Sequence, residues 1–434
     1  MSSRDDLVSW LDSHTNWESA VPGPSAIPTL ERIGSLCRIL GDPQLAFRVI
    51  HLTGTNGKGS TLKIIAELLG AYGLSVGTYT SPDLGRVNER IARAGDPISD
   101  EDLAEQLSAL AGIEPMLDAR PTRFELLTAA AFRWFADIAV DVAVVEVGVG
   151  GRWDATNVVQ PEVAAITNVS YDHVEILGPE LTDIAREKAG IIKRASHVVV
   201  GETRPELVDI FRDVARRQGA AGIWVRGADF ACDSNRVAVG GRLVDLRTPG
   251  EVYKEIFLSM RGAHQGDNAA CALACVEAFF GRPVPHDMVV STLGAIEMPG
   301  RLEVVGHEPL VLLDGAHNVA GMETLATSLE EEVSVDGTTV LVVGMLGGRD
   351  PIAMLRPLGT GSVRSVVACT APSPRAQPAE KIAAAATSLG FDVTVAGDVG
   401  EALDRAVRIA GPDGMVVVAG SLYVVAEART VLVP

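Results

Sequence analysis

The stretch Val49-Ile50-His51-Leu52-Thr53-Gly54-Thr55-Asn56-Gly57-Lys58-Gly59-Ser60-Thr61 decides the fold of the chain around it. An apolar run leads into a glycine-rich turn, and apolar residues at helical spacing follow it. Glycines let backbone N–H groups converge on an anion, the helix N-terminus adds its positive end, and Lys58 adds a full charge. A hydroxyl at Ser60 or Thr61 would lie where Mg²⁺ is held. The order of strand, loop and helix therefore predicts a phosphate-binding loop.

This loop departs from the common pattern G-x-x-x-x-G-K-[ST] at two positions. Leu52 stands where the first glycine should be, and Gly59 follows Lys58. A glycine-rich turn between a strand and a helix, with no ligand, is the alternative interpretation. Features further along the chain argue against it.

Composition limits the classes of function. A chain of 434 residues, 47% of them hydrophobic and 21% charged, is that of a globular protein with two or three domains. A net charge of −19 and a pI near 4.9 argue against general binding to nucleic acid or to anionic membranes. Five cysteines form no C-x-x-C pair, and no run of about 18 apolar residues occurs. These features predict a cytoplasmic protein without a membrane span.

A nearly unbroken apolar run from Val140 to Val147 predicts a strand buried on both faces of a parallel sheet. Glu146 interrupts the run near its carboxyl end, the edge where open α/β sheets place ligands. In phosphate-loop enzymes an acid on a neighbouring strand holds Mg²⁺. The alternative is a structural pair between Glu146 and Arg152.

Two further residues are ambiguous from sequence alone. His173 follows another predicted strand, Glu162 to Asn168, and its neutral imidazole could ligate a divalent ion. Lys188 ends a predicted helix, where a lysine is usually a solvated charge or a partner of the helix dipole. The residues themselves assign Lys188 no further role.

The second half of the chain divides into an appendage and a repeating α/β pattern. Short strands between Ile223 and Leu246 predict an antiparallel appendage. Beyond Met298-Pro299-Gly300-Arg301, strands alternate with helices, which predicts a parallel sheet covered on both faces. No G-x-G-x-x-G follows the first of these strands. Instead Asp314-Gly315-Ala316-His317-Asn318 ends it, so a dinucleotide site is disfavoured.

Taken together, these segments resemble the folylpolyglutamate synthase/dihydrofolate synthase family, a branch of the Mur ligase superfamily. The matching segments follow the family order from residue 49 to about 423. They are His51-Leu52-Thr53-Gly54-Thr55-Asn56-Gly57-Lys58-Gly59-Ser60, Ser81-Pro82 with Asn88-Glu89-Arg90-Ile91, Phe124-Glu125, Glu146 to Asn157, Asp172-His173 with Ile176-Leu177-Gly178, Glu187-Lys188-Ala189-Gly190-Ile191, His264-Gln265 with Asn268-Ala269, Gly300-Arg301-Leu302-Glu303, Asp314 to Asn318, and Gly420-Ser421-Leu422-Tyr423.

The resemblance implies an α/β fold in two parts. Residues 1–298 would form a P-loop ATPase-type domain with a mostly parallel sheet, and residues 299–434 a smaller Rossmann-like α/β domain. The implied activity is ATP-dependent addition of L-glutamate to a folate or dihydropteroate carboxylate through an acyl phosphate. The partners would be these small molecules, with neither nucleic acid nor membrane, and the protein would be a monomer. Two alternatives stay open: a Mur-type ligase for another amino acid and another carboxylate, or a nucleotide-binding regulatory homologue without ligase activity.

The resemblance also implies roles for individual residues. Catalysis would involve Lys58, Lys188, Asp314 and His317. ATP would be bound by Gly54, Thr55, Asn56, Gly57, Lys58, Gly59, Ser60, Thr61, Asn268, Arg301, Asp314 and His317. Ser60 would help to ligate one Mg²⁺, and Glu146 and His173 would ligate another. Lys188, as a carbamate formed with CO₂, would lie at the metal site. The acyl substrate would be bound by Ser81, Pro82, Asp83, Thr122, Phe124, Arg152, Asp154 and Ala155.

The sequence departs from the family pattern at Asp83. The family commonly has Ser-Pro-His-Leu where this chain has Ser81-Pro82-Asp83-Leu84. An acid therefore replaces an imidazole near the implied pterin site. The departure bears on the identity of the acyl substrate and leaves the ligase chemistry unchanged.

Overall fold

The structure is a computed structural model that describes residues 4–16, 29–361 and 363–433. Its strands are β1 (Arg48–Thr53), β2 (Val76–Tyr79), β3 (Ile91–Arg93), β4 (Asp96–Pro97), β5 (Val142–Glu146), β6 (Val163–Ile166), β7 (His197–Val200), β8 (Gly222–Val225), β9 (Ala231–Ala238), β10 (Gly241–Arg247), β11 (Val252–Leu258), β12 (Glu303–His307), β13 (Leu310–Leu313), β14 (Thr339–Val343), β15 (Val363–Ala368), β16 (Asp392–Val395) and β17 (Met415–Ala419).

Its helices alternate with these strands over most of the chain. They are α1 (Arg4–Asp12), α2 (Glu31–Ile39), α3 (Lys58–Ala71), α4 (Asp100–Ile113), α5 (Arg123–Asp137), α6 (Val174–Leu177), α7 (Leu181–Lys188), α8 (Pro205–Gln218), α9 (His264–Phe280), α10 (His286–Leu293), α11 (Val319–Glu332), α12 (Pro351–Leu355), α13 (Ala379–Ser388), α14 (Val399–Ala410) and α15 (Leu422–Leu432). Among the described residues, no helix is long and apolar enough to cross a membrane.

The largest sheet holds the phosphate loop. Within the described chain it has the strand order β4-β3-β2-β5-β1-β6-β7-β8. The strands from β2 to β8 in that order pair in parallel, and only β3 and β4 are antiparallel. Every residue of β5 is buried, as its valine-rich run predicts. The predicted mostly parallel sheet is therefore confirmed.

The prediction of an antiparallel appendage is wrong at its first strand. Gly222–Val225 pairs in parallel with His197–Val200 and forms the edge of the large sheet. The following strands, β9 to β11, form a separate sheet in the order β11-β10-β9. Short apolar runs carry no information about their pairing partner, so the sequence could not assign this strand.

The last part of the chain forms a second α/β sheet, in the order β12-β13-β17-β14-β15-β16. Its strands pair in parallel except for β12, which is antiparallel to β13. Along β14, Leu341 and Val343 face one apolar cluster, while Val340 and Val342 face another. Helices α11 to α13 pack on the first face and α14 and α15 on the second. The predicted parallel sheet covered on both faces is confirmed.

Contacts divide the chain into two compact units. One contains the residues up to Ser234, Val244–Ile256 and Asp267–Gly294, and the other contains Asn235–Leu243, Phe257–Gly266 and the residues from Ala295 onward. The second unit thus includes two short segments that precede the predicted boundary in sequence. The assignment of functional domains to residues 1–298 and 299–434 stays a prediction.

A buried ion pair in the second unit connects one of those short segments to helix α11. The side chains of Arg242 and Glu332 are 3% and 4% exposed and form a salt bridge. Arg242 also donates to Asn235, and Glu332 accepts the backbone N–H of Gly262 at 2.7 Å. The pair therefore fixes both short segments of this unit.

Replacing Arg242 with methionine is expected to lower the free energy of unfolding by about 3–5 kcal/mol, because the carboxylate of Glu332 stays buried without its cation. Urea denaturation followed by circular dichroism would measure the change. The double variant Arg242→Met/Glu332→Met should regain a large part of the loss. An unchanged urea midpoint in the single variant would contradict this account.

Candidate active site

The phosphate loop connects β1 to α3 and is built around Gly57. This residue has a φ of 79°, in the left-handed region, and it precedes the first residue of α3. A Cβ added there would lie 2.4 Å from Oδ1 of Asn268. Glycine is therefore required by its conformation and by the close approach of Asn268. The structure brings Asn268, predicted to contact the nucleotide, against the phosphate loop.

Lys58 lies at the N-terminus of α3 with its ammonium turned back over the loop. Its Nζ donates to the carbonyl oxygens of Gly54 at 3.1 Å and Thr55 at 3.3 Å. Nζ also lies 3.8 Å from Oε1 of Glu146, which is opposite Leu52 in the parallel pairing of β1 and β5. The sheet thus places a cation and a carboxylate together at its carboxyl edge. Arg152, the alternative partner for Glu146, lies with its Nε 3.8 Å from Oε1 of Glu187.

Lys188 is buried at the carboxyl end of α7, with only 3% of its surface exposed. The usual interpretation of a helix-end lysine as a solvated charge is therefore wrong here. The pKa of Lys188 is lowered to about 7, mainly by burial and also by the positive charge of Lys58, while Asp172 opposes the shift. A large fraction of Lys188 is therefore a neutral amine at neutral pH.

A second glycine-rich loop, residues 148–151, is held by Asp154. One carboxylate oxygen of Asp154 accepts the backbone N–H groups of Gly148 at 3.0 Å and Val149 at 3.1 Å. The other accepts the N–H and the hydroxyl of Thr156, and that hydroxyl contacts Nε2 of His51 at 2.8 Å. Burial raises the pKa of Asp154, and these hydrogen bonds oppose the rise. Asp154, predicted to bind substrate, thus also shapes the loop beside Glu146.

The other residues predicted to bind the acyl substrate lie in the same unit. Thr122 caps helix α5 in a capping box with Glu125. The ring of Phe124 lies 5.9 Å from that of Tyr79, and a side chain at Gly148 would collide with it. Ser81 and Pro82 follow β2, and Ala155 follows Asp154 and is buried.

Asp83, the departure from the family pattern, forms an ion pair with a buried arginine. Nε of Arg90 donates to Oδ1 of Asp83 at 2.5 Å, and the side chain of Arg90 is 3% exposed. The carboxylate of Glu89 accepts the N–H groups of Leu84 and Arg86. Asp83 therefore neutralises a buried cation in a loop that is fixed by backbone hydrogen bonds.

In the second unit, Arg301, Asp314 and His317 lie around Gly315. Asp314 accepts the N–H groups of Leu302 at 3.0 Å and Ala316 at 2.9 Å, and Nδ1 of His317 lies 2.8 Å from the carbonyl oxygen of Gly315. A Cβ on Gly315 would lie 1.9 Å from Nη1 of Arg301. Burial raises the pKa of Asp314, and Arg301 opposes that shift. The three residues, predicted from two separate motifs, thus form one cluster.

Comparison with known proteins decides between the possible families. The chain matches the Mur ligase middle domain over residues 52–276 and the Mur ligase glutamate ligase domain over residues 300–422. It is 37% identical to a dihydrofolate synthase/folylpolyglutamate synthase of Mycobacterium tuberculosis, over 98% of this chain and 94% of that protein. A protein of the same name in Escherichia coli is 32% identical, over 98% and 95%.

The chain belongs to the folylpolyglutamate synthase/dihydrofolate synthase family. The fold agrees with solved structures of this family. The Mycobacterium tuberculosis folylpolyglutamate synthase complexed with ADP is similar with a TM-score of 0.92 and 36% identity, covering 99% of this chain and 98% of that one. The Escherichia coli FolC in complex with DHPP and ADP is similar with a TM-score of 0.85 and 29% identity, over 99% of each chain.

The Mg²⁺ implied by the family resemblance can be tested against the donor atoms. Ser60 is buried in the first turn of α3, and Glu146 is 5% exposed at the end of β5. Nε2 of His173 lies 3.6 Å from Oδ1 of Asp172. In the part of the chain that is described, no three His, Cys, Asp or Glu side chains are grouped to hold a metal. Mg²⁺ commonly binds through one or two protein oxygens together with phosphate oxygens and water, so Ser60 and Glu146 fit it.

The sequence did not point to two residues that contact the phosphate loop, Thr167 and Asn168. They follow the last residue of β6, and both form hydrogen bonds to the backbone of Asn56. A polar pair at the carboxyl end of an apolar strand was the available signal. Its partner could not be predicted, because the two segments are about a hundred residues apart in sequence.

Replacing Asp154 with asparagine is expected to lower the free energy of unfolding by about 1–3 kcal/mol. In the hydrogen bonds described above, every group that contacts the Asp154 carboxylate is a donor. The amide nitrogen of an asparagine would therefore face another donor. Ligase activity should fall as well, since the loop beside Glu146 loses its anchor. Thermal unfolding and a ligase assay would measure both effects. A variant with wild-type stability and activity would refute the role of Asp154 in shaping the loop.

Proposed function

We propose that this protein is an ATP-dependent ligase that joins the amine of L-glutamate to a carboxylate of folate or dihydropteroate. The observation that carries the proposal is the position of Lys58, at the N-terminus of α3 and 3.8 Å from Glu146 at the carboxyl edge of the sheet. Family membership supports the substrates, since relatives are named dihydrofolate synthase/folylpolyglutamate synthase. One solved relative is an FPGS–AMPPCP–folate complex, with a TM-score of 0.85.

The reaction proceeds in two steps. An oxygen of the substrate carboxylate attacks the γ-phosphorus of ATP, the bond from that phosphorus to the bridging oxygen breaks, and ADP leaves. The amine nitrogen of glutamate then attacks the carbonyl carbon of the acyl phosphate. The carbon–oxygen bond to phosphate breaks, inorganic phosphate leaves and the amine loses a proton.

The chain contributes mainly charge and position to the first step. Backbone N–H groups at the start of α3 and the ammonium of Lys58 neutralise negative charge on the phosphates. In the structure this ammonium lies over the loop, 3.1 Å from the carbonyl oxygen of Gly54 and 3.3 Å from that of Thr55. Two Mg²⁺ ions, one held through Ser60 and the other through Glu146, would neutralise further phosphate charge.

Lys188 is proposed to be carbamylated. Carbamate formation requires a neutral amine, which attacks the carbon of CO₂ and loses a proton. The pKa of Lys188, lowered to about 7, supplies that amine at neutral pH. The carbamate would put an anion where a partly charged lysine faces Lys58, which removes a repulsion, and it would supply a carboxylate-like ligand for Mg²⁺.

The remaining assignments follow from the family resemblance and stay predictions. They include nucleotide contacts by Arg301, Asp314 and His317, the ligand role of His173, and a monomeric state. The functional division into residues 1–298 and 299–434 is supported by family matches that end at 276 and begin at 300. Free cysteines throughout the described chain support a reducing, cytoplasmic location.

The test is an ADP-release assay with a panel of acid and amine pairs, with product masses determined. ADP release that requires both L-glutamate and dihydropteroate, tetrahydrofolate or their glutamylated forms would support the proposal. Release with a different acid and amine pair, or ATP binding without turnover on any pair, would refute it. The masses also separate dihydrofolate synthesis from extension of a glutamate chain.

A further inference from the structure

The backbone of Asn56, in the middle of the phosphate loop, is held by side chains from the end of β6. Its N–H donates to Oδ1 of Asn168 at 2.9 Å, and its carbonyl oxygen accepts from Nδ2 of Asn168 at 3.0 Å. The same carbonyl accepts the hydroxyl of Thr167 at 2.7 Å. One side-chain amide thus satisfies both polar groups of one loop residue, as a neighbouring strand would.

The connection also runs in the opposite direction, from the loop to the segment after β6. The hydroxyl of Thr55 donates to the carbonyl oxygen of Ser170 at 3.1 Å and accepts the N–H of Ser170 at 2.9 Å. The N–H of Thr55 donates to the carbonyl oxygen of Asn168 at 3.1 Å. The two segments therefore hold each other at several points, which leaves the loop little freedom to reorient.

This arrangement decides which way the peptide between Asn56 and Gly57 faces. In a trans peptide the carbonyl and the N–H point in opposite directions. Because the Asn56 carbonyl is turned toward Thr167 and Asn168, the Gly57 N–H points away from them. A phosphate is stabilised by N–H groups and repelled by carbonyl oxygens, so the orientation of this peptide determines whether the loop attracts an anion.

We propose that Asn168 is a positioning residue that orients the Asn56–Gly57 peptide and thereby sets the affinity of the phosphate loop for ATP. Asn168 acts through the loop backbone, with Thr167 as its auxiliary on the same carbonyl. Thr167 also packs closely against the loop, since a Cβ on Gly54 would lie 1.8 Å from its hydroxyl oxygen. This contact supports the role of the segment after β6 in positioning the loop. The inference rests on the proposed function, in which this loop binds ATP.

The first experiment compares Asn168→Ala with the wild type. Removing both amide hydrogen bonds should raise KM for ATP and Kd for ADP about tenfold or more, while KM for glutamate and for the folate substrate changes less than twofold. Asn235→Ala is the matched control, because its amide also bonds a backbone carbonyl, that of Ala263, and a side chain, that of Arg242. It should lower the unfolding temperature and leave KM for ATP unchanged.

The second experiment uses Asn168→Asp, which tests the pattern of donor and acceptor directly. An ionised carboxylate accepts the Asn56 N–H but repels the Asn56 carbonyl, whereas a protonated one offers a donor and an acceptor like the amide. Relative to wild type, KM for ATP in this variant should be raised at pH 8, where the carboxylate is ionised.

Lys58→Ala, measured in the same assays, separates the two possible failures. If neither Lys58→Ala nor Asn168→Ala weakens ATP or ADP binding, the loop is not the nucleotide site and the proposed function fails with the inference. If Lys58→Ala loses nucleotide and Asn168→Ala keeps it, only the inference is overturned. It is also overturned if Asn168→Ala changes all three KM values in parallel with the unfolding temperature, or if Asn168→Asp matches wild type at pH 8.

Discussion

Replacing Lys58 with alanine is expected to lower kcat/KM for ATP by about 10³-fold or more, while the fold is retained. The ammonium is the cation that the structure places beside the loop carbonyls and Glu146, and the reaction concentrates negative charge on the transferred phosphoryl group. The Lys58 side chain is 17% exposed and its hydrogen bonds go to loop carbonyls, so its loss leaves the core intact. Steady-state kinetics and circular dichroism would measure activity and fold.

Lys63→Ala is the matched control for this prediction. Lys63 lies on the same helix and pairs with Glu67, one turn further along, at 2.6 Å. An exposed pair of this kind contributes little, so the variant should keep near wild-type kinetics. Ligation by Lys58→Ala at a rate close to wild type would refute the assignment of the phosphate loop.

Replacing Lys188 with alanine is expected to lower kcat by about 10²-fold or more, and short carboxylic acids such as acetate should restore part of it. The side chain is buried, so the deletion leaves a space beside the charged groups that a small carboxylate can enter. A carboxylate there reproduces the charge of the proposed carbamate. A loss of about 10²-fold is the size expected when one group that stabilises the transition state electrostatically is removed. Titration of the variant with formate, acetate and propionate would measure the rescue.

Carbamylation of Lys188 can also be tested in the wild-type enzyme. Activity should fall in CO₂-free buffer and return with bicarbonate, and the modified lysine should appear in a ¹³CO₂-labelled sample as a carbamate signal. Lys254→Ala, on the separate three-stranded sheet, is the control and should show no rescue by acetate. Unchanged kcat in Lys188→Ala would show that Lys188 has no part in the reaction.

The lowered pKa of Lys188 also predicts how stability depends on pH when no CO₂ is present. Its pKa is about 7 in the folded state, against 10.5 for an ordinary lysine, so between these values the unfolded state binds more protons. The contribution of Lys188 to the free energy of unfolding therefore rises with pH from about 7 to 10.5 and is fully unfavourable below that window. Lys188→Met should remove this dependence. Urea denaturation of both proteins at pH 6.5 and 9 would measure the difference.

The sequence by itself determined the alternating strands and helices and the position of the phosphate loop. Both depend on local patterns. The Val140–Val147 run is apolar because its strand is buried on both faces, and the left-handed residue before α3 has to be a glycine, Gly57. Glu146 could be selected because a charge near the end of such a run has few structural explanations.

Only the tertiary structure decided which residues meet. Lys188 has the sequence context of an ordinary helix end, and its burial near Lys58 depends on how α7 packs. Asn168 is separated from Asn56 by 112 positions, yet their hydrogen bonds orient the loop. The strand Gly222–Val225 likewise pairs with β7 in the large sheet, a partner that its own short sequence does not specify. Propensity and periodicity are properties of neighbouring residues, whereas burial, pKa and pairing depend on distant parts of the chain that the fold brings together.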